Sequence, residues 1–98
     1  MTDYLNPRSN EEKVSAYNKS VKERNVSRIL VTSSLGNVFD GDELSQDRMI
    51  RAINIAKIDG DSSTYWKLAD NTIVLVTLTE LEEAVSLAGR EMSLIWLT

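Results

Sequence analysis

Apolar residues recur with helical spacing in three stretches of the chain, and two stretches rich in β-prone residues lie between them. The first helical stretch, roughly residues 10–24, follows a capping box made by Ser9 and Glu12. Its apolar stripe is narrow and consists of Val14, Tyr17 and Val21. A stripe of this width predicts a helix that packs lightly on the domain or, alternatively, a seam through which two copies associate.

The spacing changes after Ser27 and predicts a hairpin followed by a core helix. Residues 29–39 hold two runs of branched or apolar residues around a turn of Ser, Gly and Asn, which is typical of two short strands. The helix begins after Asp42 or Ser45, since both are good N-caps, and continues to Ile58. Its apolar stripe contains Met49, Ala52, Ile53 and Ala56, widened by Ile50 and Ile58.

The second hairpin has the strongest turn signal in the sequence. Residues 64–68 and 73–77 are β-prone, and a polar turn around Asp70 and Asn71 lies between them. The second run is apolar without a break over its first four residues, which predicts a central strand with both faces at least partly covered. Trp66, in the first run, is assigned to the core because it carries a large apolar area.

The last helix is predicted to begin at a capping box formed by Thr79 and Glu82. Its apolar stripe is the longest of the three and contains Leu81, Ala84, Val85, Ala88, Met92 and Ile95. Gly89 lies in the middle of this helix, where it lowers helix stability, and therefore indicates that another element approaches closely. The end of the helix, residues 94–97, is apolar on more than one face, so Trp96 either caps the core or anchors a partner.

The order helix, hairpin, helix, hairpin, helix predicts an α+β domain. In such a domain a mostly antiparallel sheet carries the helices packed on it. The predicted organisation is an N-terminal tail over residues 1–8, an N-terminal helix over residues 9–25 and the α+β domain over residues 26–98.

The composition excludes several classes of chemistry. The 98 residues (11.0 kDa) include no Cys and no His, which excludes disulfides, thiol nucleophiles, zinc sites built from these residues and catalytic triads that contain His. The net charge of −4 argues against a nucleic-acid partner. No apolar run approaches the ~20 residues of a membrane span, so no membrane partner is expected.

The Asp-rich loops are predicted to be turns and helix caps rather than calcium sites. In an EF-hand loop starting at Asp59, Thr64 would take the position that needs Gly, and Asp70 the position of the bidentate Glu. The sequence has no glycine-rich phosphate loop, and its acidic residues lie where helix starts and turns favour them. No catalytic, cofactor-binding or metal-binding residue is therefore predicted.

Three segments carry a recognisable order of motifs: residues 38–49 (VFDGDELSQDRM), 66–74 (WKLADNTIV) and 76–81 (VTLTEL). They contain a Ser-Gln-x-Arg helix start, a Trp-x-x-x-Asp-Asn hairpin and a Leu-Thr helix cap. Together they resemble a domain of unknown function found in tailed-bacteriophage and prophage proteins associated with tails or tail fibres. The resemblance covers roughly residues 24–96. It implies a phage context, no catalytic residue, and a role for Arg48 as a clamp between helix and loop.

The residues and the resemblance together predict a non-enzymatic protein-binding module. It would act as an accessory or chaperone-like assembly protein of phage tails or tail fibres, in the host cytoplasm during infection or in the virion tail. Its partner would be a tail or fibre protein or a second copy of the chain. The predicted contact residues are Val14, Tyr17, Val21, Leu94, Trp96 and Leu97.

The alternative function is that of a small acidic phage protein that inhibits a host nucleic-acid-binding or defence protein. Such an inhibitor would present carboxylates in place of phosphates, which requires one continuous acidic face. The residues predicted to form that face are Asp40, Asp42, Glu43, Asp59 and Asp61.

Overall fold

Residues 18–97 combine three helices with two antiparallel hairpins. The computed structural model describes residues 18–97, whose elements are α1 (helical over 18–27), β1 (Leu30–Thr32), β2 (Val38–Asp40), α2 (Glu43–Asp59), β3 (Ser63–Lys67), β4 (Ile73–Thr77) and α3 (Leu78–Leu97). The α+β class predicted from the sequence is confirmed. The predicted tail and the first part of the predicted N-terminal helix lie outside the described residues. Within residues 18–97, no helix has the length and apolarity that crossing a membrane requires.

Each hairpin is a separate two-stranded sheet. β1 pairs with β2 in a register that places Val31 opposite Phe39, and β3 pairs with β4 over all five residues of each strand. The two sheets meet where the Ala69 N–H donates to the Val38 carbonyl oxygen at 3.0 Å. The sequence predicts one mostly antiparallel sheet, whereas the described strands pair only within their own hairpins. The reason is that the β3–β4 turn, and not the edge of a strand, lies beside β2.

The core lies between α2, α3 and the inner faces of the two hairpins. Its largest fully buried side chains are Phe39, Met49, Val76 and Leu81. Ala84 and Ala88 of α3 are also buried, and such small side chains allow helices to approach closely. Trp66 is half-buried and packs against this core, as the sequence predicts. The apolar stripe predicted for α3 therefore faces the interior, as do Met49, Ile53 and Ala56 of the α2 stripe. The sequence also assigns Ile50 and Ile58 to the α2 stripe, and that part of the prediction is wrong because they are 45% and 83% exposed.

The chain between β2 and α2 passes close to other elements at Gly41. A Cβ atom at this position would lie 2.5 Å from Cγ2 of Ile29 and 3.1 Å from the Cβ of Ala88, so a larger residue does not fit. The sequence predicts a close approach at Gly89 instead. Among the described residues that prediction is wrong, because a Cβ at Gly89 would meet only the Gln46 side chain, at 3.9 Å.

Side chains of the preceding residues cap both core helices. Asp42 caps α2 and accepts hydrogen bonds from the N–H (3.3 Å) and the hydroxyl of Ser45, which decides between the two predicted caps. At α3 the Glu80 N–H donates to Oγ1 of Thr77 at 3.1 Å. The predicted cap at Thr79 is wrong because α3 follows β4 directly and begins at Leu78, so its N-cap is Thr77, two residues earlier than predicted.

Candidate functional site

A buried polar network at the start of α3 centres on the carboxylate of Glu80. It is buried at the start of α3 and accepts hydrogen bonds of 2.7 Å from the Ser33 hydroxyl and from the Asn37 amide. Asn37 in turn lies in the β1–β2 turn, where its N–H donates to the Ser33 hydroxyl at 3.3 Å. The two donors thus satisfy the buried carboxylate, and the same hydrogen bonds hold the β1–β2 turn against α3.

A second carboxylate of α3 holds the same turn from outside. Glu83 accepts hydrogen bonds from the Ser34 N–H at 3.0 and 3.1 Å and from the Ser34 hydroxyl at 3.2 Å. The sequence assigns the acidic residues of this region only to helix capping and to the helix dipole. Their contacts with the turn were missed because the partners lie 47 and 49 positions away in the chain.

Residues of the resemblance motifs converge on one polar groove of about 360 Å³ between α2 and the β3–β4 hairpin. Its walls include Ser45 and Arg48 from α2 and Trp66 and Asn71 from the hairpin, with Asp40 at the end of β2. Among the described residues, no ion pair or hydrogen bond holds the Arg48 side chain. Arg48 lines the groove together with residues of the β3–β4 hairpin, and the clamp that the resemblance implies stays a prediction.

The turn of the second hairpin is organised by its own side chains. Asp70 accepts hydrogen bonds from the Thr72 hydroxyl (2.6 Å) and the Thr72 N–H (3.0 Å), and these bonds hold the pKa of the exposed Asp70 carboxyl below its usual value. Asn71 has a positive φ of 71°, a conformation that Asn tolerates better than most residues. This turn is predicted correctly from the sequence, and its hydrogen bonds stabilise the hairpin.

The structure describes four of the six predicted contact residues. Leu94 and Leu97 are exposed at the end of α3, Trp96 is 41% exposed, and Val21 of α1 is half-buried. The remaining two predicted contacts, Val14 and Tyr17, lie outside the described residues.

Trp96 contacts α1 and is only partly exposed to solvent. Lys22 places its Nζ 3.4 Å from the Trp96 carbonyl oxygen and 5.9 Å from the centre of the indole ring. The last turn of α3 contains no basic residue, so Lys22 supplies a cation at its C-terminal end. Trp96 therefore contacts Lys22 of α1 and is 41% exposed, and the choice between a core cap and a partner anchor stays a prediction.

The end of α3 borders a groove that we call the helix-end groove. Its lining residues come from α1, the start of α2 and the last turn of α3, and they are Glu23, Val26, Ser27, Asp42, Glu43, Leu44 and Trp96. The groove has a volume of about 320 Å³, near the lower limit of the ~300–1,000 Å³ typical of small-molecule pockets. Its size suits one or two anchoring side chains of a larger partner.

The β3–β4 hairpin exposes an apolar surface that we call the outer face, formed by Tyr65, Lys67, Ile73 and Leu75. Tyr65 lies opposite Leu75, and Lys67 lies opposite Ile73. Tyr65, Ile73 and Leu75 are 71%, 69% and 59% exposed. The sequence predicts that both faces of β4 are covered. Within the described part of the chain that prediction is wrong, because α2 and α3 pack against the opposite face.

The acidic residues proposed for an inhibitory face are separated in the structure. Asp42 and Glu43 lie at the start of α2, whereas Asp59 and Asp61 lie at its end, about 25 Å away for a 17-residue helix. This dispersion counts against the inhibitor hypothesis. Within residues 18–97 there is also no group of three or more acidic side chains that could hold a metal ion.

Comparison with known protein families matches residues 9–94 to a domain of unknown function, DUF4376. Neither the curated proteins nor the solved structures contain a match to this sequence. The family match covers most of the chain, including all four strands and both core helices almost to their ends. The chain therefore belongs to the DUF4376 family of domains of unknown function.

Proposed function

We propose that this domain is a non-enzymatic protein-binding module that takes part in the structure or assembly of phage tails or tail fibres. The phage context rests on the sequence resemblance of the motifs at residues 38–49, 66–74 and 76–81. The binding role rests on the structure, and one observation carries it: the apolar outer face is left uncovered by the described residues.

The outer face differs from an ordinary surface because its apolar residues are adjacent and lie on a regular strand pair. Tyr65 and Leu75 are cross-strand partners, and Ile73 lies two residues from Leu75 on the same side of β4. Strands that are apolar on both sides are typical of sheets with both faces covered. Single exposed apolar residues are common on protein surfaces, whereas contiguous patches mark interaction sites. A partner protein would supply the missing layer.

The arrangement of the polar groups supports a binding role over a catalytic one. The buried Glu80 carboxylate is occupied by Ser33 and Asn37, and the buried Gln46 amide donates to the Gly41 carbonyl oxygen at 2.9 Å. Asp42 is occupied by the cap of α2. These polar groups form their hydrogen bonds within the protein and thereby hold its elements together.

Site-specific photocrosslinking tests the proposal because it captures a partner whose identity is still open. A benzoylphenylalanine residue would replace Tyr65 in the full chain, produced in its native host under conditions that yield phage particles. A matched chain would carry the same residue at Asn54, which is exposed on α2. We expect the Tyr65 position to give one discrete adduct that the Asn54 position does not give.

The identity of the adduct decides between the possible partners. A tail or fibre protein in the adduct supports the whole proposal, and an adduct of twice the chain mass indicates self-association. An adduct with an unrelated host protein supports the binding role and contradicts the phage role. Equal labelling from positions 65 and 54 would show that the outer face is not an interface.

A further inference from the structure

The helix-end groove combines an apolar floor with an acidic rim. The floor is made by the buried Val26, by Leu44, which is 55% exposed, and by the open side of Trp96. The rim carries the carboxylates of Glu23 and Glu43, both exposed. No ion pair joins either of these carboxylates to another residue in the described range 18–97. The groove therefore offers apolar contact area together with unpaired negative charge.

The local charges add up to a negative potential in the groove. Glu23, Asp42 and Glu43 contribute three negative charges, and the C-terminal carbonyls of α3 add about half of a negative charge. Lys22 opposes them with one positive charge, and the start of α2 opposes them with about half of one. The residues that line the groove thus include three acidic side chains and no basic one, so an approaching group gains most if it is cationic.

We propose that the helix-end groove docks a cationic amphipathic helix of a partner protein. Apolar side chains spaced three or four residues apart on that helix would contact Leu44 and Trp96, and its Lys or Arg residues would face Glu23 and Glu43. This inference rests on the proposed function, because it names the kind of partner segment that a protein-binding module would take. It concerns a surface separate from the outer face of the β3–β4 hairpin.

The test uses the ¹⁵N-labelled full chain and a defined probe, an 18-residue amphipathic helix of Leu, Lys and Ala. A control peptide carries Glu in place of every Lys. We expect the Lys peptide to shift the amide signals of Val26 and Leu44 and the indole N–H signal of Trp96. Its affinity should fall as salt is added, because exposed charges are screened. The Glu peptide should bind at least about tenfold more weakly.

Two charge-reversed variants separate docking in the groove from general attraction to an acidic protein. Glu23→Lys with Glu43→Lys reverses the rim, and Asp59→Lys with Asp61→Lys makes the same change in net charge at the other end of α2. We expect the first variant to lose at least about tenfold in affinity for the Lys peptide and the second to keep nearly all of it.

Equal losses in the two variants would overturn the proposal, and so would signal shifts confined to residues outside the groove. Either result would leave the crosslinking test at position 65 unaffected, so failure of this inference and failure of the proposed function are distinguishable. Since the four acidic residues in these variants are all exposed, the substitutions leave the core intact.

Discussion

The two hairpins of this domain have the same topology and are used differently. The β1–β2 hairpin has strands of three residues, and its turn is fastened to α3 by Glu80 and Glu83. The β3–β4 hairpin has strands of five residues, packs one face on the core and exposes apolar side chains on the other. The first hairpin thus adds the polar contacts of its turn to the packing of Val31 and Phe39 in the core, whereas the second is held by the packing of its inner face.

The difference between the hairpins indicates which contacts stabilise the fold and which surface is free to bind a partner. A substitution at a buried carboxylate that accepts two hydrogen bonds is destabilising, because it leaves polar groups without partners. An exposed strand face can change without cost to the core. We therefore expect substitutions in the first hairpin network to reduce stability, and substitutions on the outer face to reduce binding.

The largest effect is expected for Glu80→Ala. The substitution leaves the Ser33 hydroxyl and the Asn37 amide without their acceptor in a buried site, and should lower the free energy of unfolding by about 2–4 kcal/mol. Urea unfolding followed by circular dichroism measures it. Glu80→Gln keeps one acceptor oxygen and should lose less. A Glu80→Ala variant as stable as the wild type would show that the network does not hold the first hairpin.

A contrast within β4 sharpens the comparison of its two faces. Val76 is buried and Leu75 is exposed, although they are adjacent in sequence. Val76→Ala removes buried apolar area and leaves a cavity, so the free energy of unfolding should fall by about 2–3 kcal/mol. Leu75→Ala loses only the cross-strand pair with Tyr65 and should change it by no more than about 1 kcal/mol. Equal losses would mean that both faces of β4 are covered.

The smallest effect concerns the turn of the second hairpin. Thr72→Val removes the hydroxyl that donates to Asp70, so the pKa of the Asp70 carboxyl should rise toward its usual value. Because this pKa is lowered in the folded state, the turn contributes stability above the usual carboxyl pKa and loses it as the pH falls through the lowered value. An NMR titration of the Asp70 side-chain carbon measures the change. An unchanged pKa would show that the hydroxyl does not hold the carboxylate.

The parts of the fold that follow from local patterns could be predicted from the sequence. The core stripe of α3, the centre of the α2 stripe and the Asp70–Asn71 turn depend on residues close in the chain, and the structure confirms them. The exposed Ile50 and Ile58 do not belong to the α2 stripe. The position of the cap of α3 was missed because a β-branched Thr at 77 fits both a strand and a cap. Neighbouring residues alone do not decide between these two uses.

The candidate surfaces depend on which distant elements meet, and the sequence pattern contains little of that information. The apolar run of β4 indicates that both faces of the strand are buried, but it does not indicate whether the same chain or a partner protein buries them. The helix-end groove needs α1, α2 and α3 to converge, and Glu23 lies 73 positions from Trp96 in the sequence.

The most direct test of the central claim combines stability and crosslinking in one variant of the outer face. Tyr65→Thr with Leu75→Thr keeps two β-prone residues and removes most of the exposed apolar area. We predict that the free energy of unfolding falls by less than about 1 kcal/mol, the most that a cross-strand pair contributes. With the crosslinking residue moved to position 73, the partner adduct should disappear. A loss of more than about 2 kcal/mol, or an undiminished adduct, would contradict the claim that this face is free in the domain and covered by a partner.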